Sequence, residues 1–247
     1  MPNPKRAVKP RKSAEIVADD LREEIVSGAL SVGDLFPVER ELIERYGVGR
    51  TTLREALRIL ETEGLIEVLR GAQGGARVVG PSLDLASHAV RMVLRSQSTE
   101  LIDVQTARTI IEPPAARMFV ENATPEGIAA LELALEEERE CAGTPEFPFA
   151  AMRFHEKVVE HSGNHTLSAF LMVIHDIHEG VATALAEGGV GAEGRSRTIE
   201  THARLLECAR TGAADEAEKL WRDYWIWVTP LTLRDGSRVL GAPERRR

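Results

Sequence analysis

The 247-residue sequence lacks the features that mark secreted and membrane proteins. It has only two cysteines, Cys141 and Cys208, which excludes a disulfide framework and indicates a reduced, cytoplasmic setting. No uninterrupted apolar stretch approaches the length of a membrane span. The charged N-terminus also lacks the apolar segment of a signal peptide. We therefore expect a cytoplasmic protein that has no membrane partner.

Motifs of common catalytic sites are missing as well. There is no Gly-x-Ser-x-Gly nucleophile elbow and no paired catalytic motif. Residues 189–194 match the glycine pattern of dinucleotide-binding folds, but a helical pattern precedes them where that fold requires a strand. We interpret these residues as a loop between helices and expect no enzymatic activity.

The chain has no excess of positive charge, since its net charge is −8. Residues 1–80 carry 13 basic and 13 acidic side chains, whereas residues 81–247 carry 18 and 26. This distribution argues against nucleic acid wrapping around the C-terminal part. Residues 1–12 are a basic arm interrupted by prolines, which we predict to be flexible and either in contact with phosphates or simply solvated.

Residues 13–80 carry the periodicity of three short helices. Ser13 can cap the first helix, Pro37 suits the first position of the second, and Gly47 ends that helix. The third helix is predicted to run from about Arg50 to Glu63. Its apolar stripe consists of Leu53, Leu57 and Leu60.

A glycine-rich hairpin follows the third helix. Residues 65–69 alternate as a strand with Ile66 and Val68 on one face, and residues 76–79 can return antiparallel after a turn at residues 70–75. Three helices and such a hairpin form a winged helix-turn-helix, which places one helix in the major groove of DNA. Residues 13–80 are therefore predicted to be a DNA-binding domain.

After Pro81 the strand pattern disappears and only helical patterns remain. We predict an all-helical bundle over residues 83–231, followed by a flexible tail at residues 232–247. Pro113 and Pro114 lie inside a helical pattern and are expected to kink or split that helix. The predicted fold class is thus mainly α. The predicted helices cover about 83–97, 100–122, 125–142, 147–162, 165–187, 195–211 and 214–231.

The N-terminal stretch resembles the DNA-binding domain of the GntR family of bacterial transcription regulators. The runs LFPVEREL at 35–42, YGVGRTTLREAL at 46–57 and EGLI at 63–66, with the glycine-rich wing, carry the resemblance. One departure is Gly49, which supplies no side-chain oxygen where the family usually has a serine or another helix cap. The DNA contacts that the resemblance implies come from Arg40, Arg50, Thr51, Thr52, Arg54, Gly74 and Gly75.

The helical part resembles the FCD domain, which in this family binds an effector. Three landmarks carry the resemblance: RTIIE at 108–112, RFH at 153–155 leading to SGN at 162–164, and ETH at 200–202 leading to GAAD at 212–215. The resemblance implies effector binding and dimerisation by residues 83–231. A dimer with two-fold symmetry would bind a palindromic operator in double-stranded DNA.

Many FCD domains hold a divalent metal with an aspartate and three histidines. His155 and His202 match two of these positions, but Ala151 and Tyr224 occupy the other two. Because two imidazoles rarely hold a metal tightly, we expect no metal cofactor, and His155 and His202 are the candidate ligands if one is bound. His155, His202 and Tyr224 are then either polar groups that line an effector pocket or, for the two histidines, core residues.

Arg108 matches a position that often binds the carboxylate of an effector. A buried arginine needs an anion, which is either an acidic ligand or the nearby Glu112. We interpret Trp221 and Trp225 as core or interface residues and the Glu136–Glu138 run as a solvated face.

These patterns lead to one main hypothesis and two alternatives. The main hypothesis is a homodimeric transcription regulator, a repressor, whose operator affinity responds to a small acidic metabolite such as a carboxylate or an acyl thioester. One alternative is a constitutive DNA-binding regulator with a decayed effector and metal pocket. The other is a helical metalloenzyme with an accessory DNA-binding domain.

Overall fold

The structure is a computed structural model that describes residues 12–69, 75–188 and 191–232, except the side chains of residues 178–188 and 232. The described residues form ten α-helices and one two-stranded sheet. The prediction of a mainly α fold is therefore confirmed. The chain divides into two compact units, Met1–Leu85 and Ala86–Arg247, and the division falls within the fourth helix.

The first unit contains the three helices and the hairpin that the sequence predicts. Its elements are α1 (Ser13–Val26), α2 (Glu39–Tyr46), α3 (Arg50–Thr62), β1 (Ile66–Leu69) and β2 (Gly75–Val78). The strands pair antiparallel, with Ile66 opposite Val78 and Leu69 opposite Gly75. The basic arm at residues 1–11 and the wing tip at residues 70–74, which includes Gly74, lie outside the described residues.

Two predicted helix starts are wrong by one or two residues. Lys12 stands at the N-cap of α1 in place of Ser13, and its backbone amide donates to the Glu15 carboxylate at 3.3 Å. Pro37 precedes α2, which begins only at Glu39. Gly47 ends α2 as predicted, with a φ of 60° in the left-handed region that glycine adopts without strain.

The core of the first unit lies between α1, α3 and the hairpin. Leu53 and Leu60 are buried as predicted, but Ala56 rather than Leu57 completes the buried stripe of α3. Ile66 is buried, whereas Val68 on the same face of β1 is exposed. The base of the hairpin therefore packs on the core, and its outer part extends beyond the core.

The second unit is an all-helical bundle, as predicted. Its helices are α4 (Asp84–Ser96), α5 (Leu101–Glu121), α6 (Pro125–Glu140), α7 (Phe147–Glu160), α8 (His165–Gly188), α9 (Ala192–Thr211) and α10 (Ala214–Thr232). Helix α9 begins at Ala192, so the prediction of a loop at residues 189–194 is wrong for residues 192–194. Residues 189–190 lie outside the described residues. The tail from residue 233 is also outside them.

Helix α5 runs through Pro113 and Pro114 without being split. A proline inside a helix removes an amide donor and so a backbone hydrogen bond. The residues around the prolines are deeply buried, including Glu112, Ala115, Ala116 and Phe119. Tertiary packing thus holds α5 together where local preference would break it.

The core of the bundle is built on α5 and α10, which pack against each other along much of their length. Phe119, Phe154, Leu205, Trp221 and Trp225 belong to one buried cluster, which confirms the two tryptophans as core residues. None of the described helices combines the length and the apolar character that a membrane span requires.

Candidate nucleic-acid interface and buried polar centre

The outer face of α3 carries the predicted DNA-contacting side chains. Arg50, Thr51 and Arg54 are exposed and Thr52 is half-buried, while Leu53 and its neighbours in the stripe face the core. The helical period therefore separates an apolar face that anchors α3 from a polar face that is free to meet a ligand. This is the arrangement of a recognition helix.

Helix α2 supplies two further groups next to this face. Arg40 is exposed, as expected for a DNA contact. Glu39 accepts a hydrogen bond from Nε of Arg54 at 3.0 Å, and the Arg54 side chain remains 71% exposed. An arginine held at Nε keeps its terminal nitrogens for the bidentate pairing that reads guanine.

The wing is described only at its base. Gly75 is the first residue of β2 and is exposed, and a Cβ built on it would meet no atom of the described residues within 4 Å. Gly49 caps α3 without a side-chain hydrogen bond, as its lack of a side-chain oxygen predicts.

The second unit has a buried polar centre around Glu112. Arg108 lies one turn before Glu112 on α5 and donates from Nε to Glu112 Oε1 at 2.7 Å. Both side chains are almost fully buried, with 3% and 1% of their surface exposed. The ion pair that the sequence allowed is therefore present, and Arg108 also stacks over Trp225 at 4.3 Å.

Glu112 accepts hydrogen bonds from three other helices as well. His155 Nδ1 of α7 lies 2.9 Å from Oε2, and His175 Nε2 of α8 lies 3.0 Å from Oε1. The indole nitrogens of Trp221 and Trp225, both on α10, donate to Oε2 at 3.2 and 3.1 Å. With Arg108, five donors from four helices converge on one carboxylate.

The surroundings fix which groups of this centre are charged. Burial alone would raise the pKa of Glu112, but the Arg108 charge and the contacts of His155 and His175 outweigh burial and hold this pKa well below its ordinary value. Burial lowers the pKa of His155 to about 3 against the opposing effect of Glu112. Glu112 is thus an anion, and His155 is a neutral imidazole that donates from Nδ1.

Glu138 and His202 form a second buried pair. His202 Nδ1 lies 2.7 Å from Glu138 Oε2, and both side chains are fully buried. The prediction that Glu136–Glu138 form a solvated face is wrong for Glu138. Glu138 follows the buried Leu131 by two helical turns on α6. This i, i+7 spacing indicates that Glu138 lies on the buried face of α6, although it belongs to a run of three glutamates.

The predicted effector residues come together around these two carboxylates. The rings of His155 and His202 are 5.0 Å apart, and the Tyr224 ring is 5.5 Å from each. His202 also stacks on Phe154 at 4.2 Å. Burial raises the pKa of Tyr224 above its ordinary value, so that its phenol stays protonated. The sequence did not place His175 or Glu138 at this site, because their partners lie more than 60 residues away.

The donor set does not fit the divalent metal of other FCD domains. Position 151 has a methyl group and position 224 has a protonated phenol, which leaves two imidazoles. In the part of the chain that the structure describes, no group of three or more His, Cys, Asp or Glu side chains is arranged to hold a metal ion. Sites that bind such ions usually supply three or four protein ligands.

Replacing Glu112 should test how strongly the bundle depends on its buried carboxylate. Glu112→Gln leaves the Arg108 guanidinium buried without an opposite charge, and we expect it to lower the free energy of unfolding by about 3–5 kcal/mol. Urea denaturation followed by circular dichroism measures the change. Glu121→Gln is a matched control, because its exposed pair with Arg117 is expected to have no measurable effect. Wild-type stability of the Glu112 variant would contradict a structural role for this carboxylate.

Mild acid should destabilise the protein through His155. The unfolded chain binds a proton at His155 below about pH 6.5, whereas the folded chain does so only near pH 3, so stability falls as the pH drops between these values. Above about pH 5.5 the lowered pKa of Glu112 adds little to this dependence, because Glu112 is then almost fully ionised in both states. One such group contributes about 1.4 kcal/mol per pH unit.

Urea denaturation of the wild type and of His155→Gln at pH 7, 6 and 5 measures this dependence. Glutamine keeps a donor for Glu112 but does not titrate, so the stability of the variant should fall less steeply with acid, by about 1 kcal/mol per pH unit. Parallel pH dependences of the two proteins would show that His155 does not carry the effect.

Comparisons with known proteins agree with both halves of this description. Residues 13–78 match the model of "Bacterial regulatory proteins, gntR family", and residues 103–225 match that of the "FCD domain". The HTH-type transcriptional repressor NanR of Cronobacter sakazakii is 26% identical over 219 residues, which cover 87% of this chain and 83% of that protein. The NanR repressor of Salmonella newport is 29% identical over 176 residues, which cover 70% of this chain and 67% of that protein.

A solved structure supports the same assignment. The protein described as Streptococcus agalactiae GntR superposes with a TM-score of 0.68 at 26% sequence identity, over 87% of this chain and 98% of that chain. These relatives are regulators of transcription, so the alternative of a helical metalloenzyme is wrong. The chain belongs to the GntR family of bacterial transcription regulators, carries an FCD domain as its second domain, and is not an enzyme.

Proposed function

We propose that this regulator is a cytoplasmic homodimeric repressor that binds a palindromic operator through α3 and releases it in response to a small acidic metabolite. The observation that carries the proposal is the outward polar face of α3, with Arg50, Thr51 and Arg54 exposed opposite a buried stripe. The repressors to which the chain is similar support the direction of regulation.

The expected DNA contacts differ in kind. Arg54 is the candidate for guanine recognition, since its terminal nitrogens can pair with O6 and N7. Arg40, Arg50 and the hydroxyls of Thr51 and Thr52 suit phosphates or base edges. Gly74 and Gly75 suit close approach of the wing to the minor groove. Because phosphate contacts release counterions, binding should weaken steeply with salt.

Arg54→Ala should reduce sequence preference more than general DNA affinity. We expect it to lose about 1–3 kcal/mol of discrimination between an operator selected from random duplexes and an unrelated duplex. Fluorescence anisotropy with both duplexes measures that ratio. Arg139→Ala removes the same charge from an exposed site on α6 and should leave the ratio unchanged. An unchanged ratio for Arg54→Ala would exclude this residue from base recognition.

The proposed effector site comprises Arg108, His155, His202 and Tyr224. Arg108 supplies the positive charge that an acid requires, and the other three supply polar atoms around it. In the structure Arg108 is bound to Glu112, so an acidic ligand has to share or replace that contact. A ligand changes operator affinity only through its different affinities for the two arrangements of the dimer.

A second candidate function follows from the same contact. Because Glu112 already neutralises Arg108 in a buried pair, the chain also suits a constitutive repressor whose effector pocket has closed. The two candidates differ only in the response to ligands, since both place the DNA contacts on α3.

A ligand screen separates the two candidates. A responsive repressor should show a raised melting temperature with one class of small carboxylates or acyl thioesters, and the same compound should lower operator affinity at least about tenfold, which corresponds to a coupling of about 1.4 kcal/mol. Neutral amides of the same compounds serve as controls for charge. A protein that binds its operator but responds to no compound in either measurement would favour the constitutive repressor.

A further inference from the structure

Each of the two imidazoles that match the metal-binding pattern is held by a buried carboxylate. His155 Nδ1 contacts Glu112 Oε2 at 2.9 Å, and His202 Nδ1 contacts Glu138 Oε2 at 2.7 Å. We infer that Glu112 and Glu138 do the structural work of the metal ion in this bundle, which folds and functions without one. This inference is independent of the proposed effector and of the DNA contacts.

The two positions that lack a metal ligand carry a methyl group and a phenol. Ala151 lies one turn before His155 on α7 and offers only a methyl group. Tyr224 is buried, shares a hydrogen bond with Thr198, and packs its ring against His155 and His202. A divalent ion between the two imidazoles would therefore have half of the usual set of protein ligands.

The carboxylates connect the helices that surround the centre. Glu112 joins its own helix, α5, to α7, α8 and α10 through five donors. Glu138 joins α6 to α9 through His202. Six of the seven helices of this unit thus meet at two buried carboxyl groups. A core metal likewise connects helices by binding side chains from several of them.

One ring nitrogen of the two histidines that match the metal-binding pattern has no hydrogen-bond partner among the described residues. His202 Nε2 is buried and accepts no hydrogen bond from any described residue. It is the ring nitrogen that a metal could use while Nδ1 keeps its carboxylate. Because the Tyr224 ring lies 5.5 Å from both imidazoles, a histidine at position 224 would bring a third nitrogen to the same space. An aspartate at position 151 would add a fourth ligand.

The test compares metal uptake by the full-length wild type, Tyr224→His and Ala151→Asp/Tyr224→His. Each protein is dialysed against EDTA, exposed to Zn²⁺ or Mn²⁺, desalted and analysed by atomic emission, and its melting temperature is measured with each metal and with EDTA. The wild type should retain less than about 0.1 ion per chain and should melt at the same temperature in all conditions. The double variant should retain about one ion per chain and gain roughly 5–10 °C with the metal.

The wild-type measurement decides the inference even if a variant fails to fold. About one ion per wild-type chain, with a metal-dependent melting temperature, would overturn it when His155→Ala or His202→Ala removes the ion. Uptake that survives both substitutions comes from other side chains and leaves the inference standing. Glu138→Gln adds a second readout. It should lower the melting temperature equally with metal and with EDTA, whereas recovery in the presence of metal would contradict the structural role of this carboxylate.

Discussion

The second unit of this protein depends on the burial of one carboxylate, Glu112. Removing a charge from water is costly, and the cost is offset only when an opposite charge and enough hydrogen-bond donors surround the group. Here Arg108 supplies the charge, and two histidines and two tryptophans supply the remaining donors. All of these side chains have to be in place together, so the position of one residue on α5 constrains the positions of α7, α8 and α10.

The two units place arginine in opposite environments for different purposes. Arg54 is 71% exposed, and its contact with Glu39 leaves the guanidinium accessible. Arg108 is almost fully buried and is neutralised by an internal anion. An exposed guanidinium can exchange water for phosphates and bases, whereas a buried one stabilises the fold unless a ligand competes for it. The first environment suits DNA recognition, and the second sets the condition that any acidic effector has to meet.

The family pattern and the structure together explain how this chain departs from other FCD domains. Ala151 and Tyr224 remove two metal ligands, and a carboxylate accepts the Nδ1 proton of each remaining imidazole. A polar centre inside a bundle has to be satisfied in some way, because unpaired buried groups destabilise the fold. In this chain, side chains of the bundle itself supply most of the hydrogen bonds that the buried polar groups need.

The sequence determined the element order, the winged helix-turn-helix, the helical bundle and most helix boundaries within a few residues. Those features arise from local periodicity and from helix-ending residues such as Gly47. It did not determine that α5 would continue through Pro113 and Pro114, or that Glu138 would turn inward from a run of glutamates. Nor did it show that His175 would contact Glu112. Tertiary structure decided these points, because burial and hydrogen bonding join residues that are distant in the chain, and a local pattern contains no record of its partners.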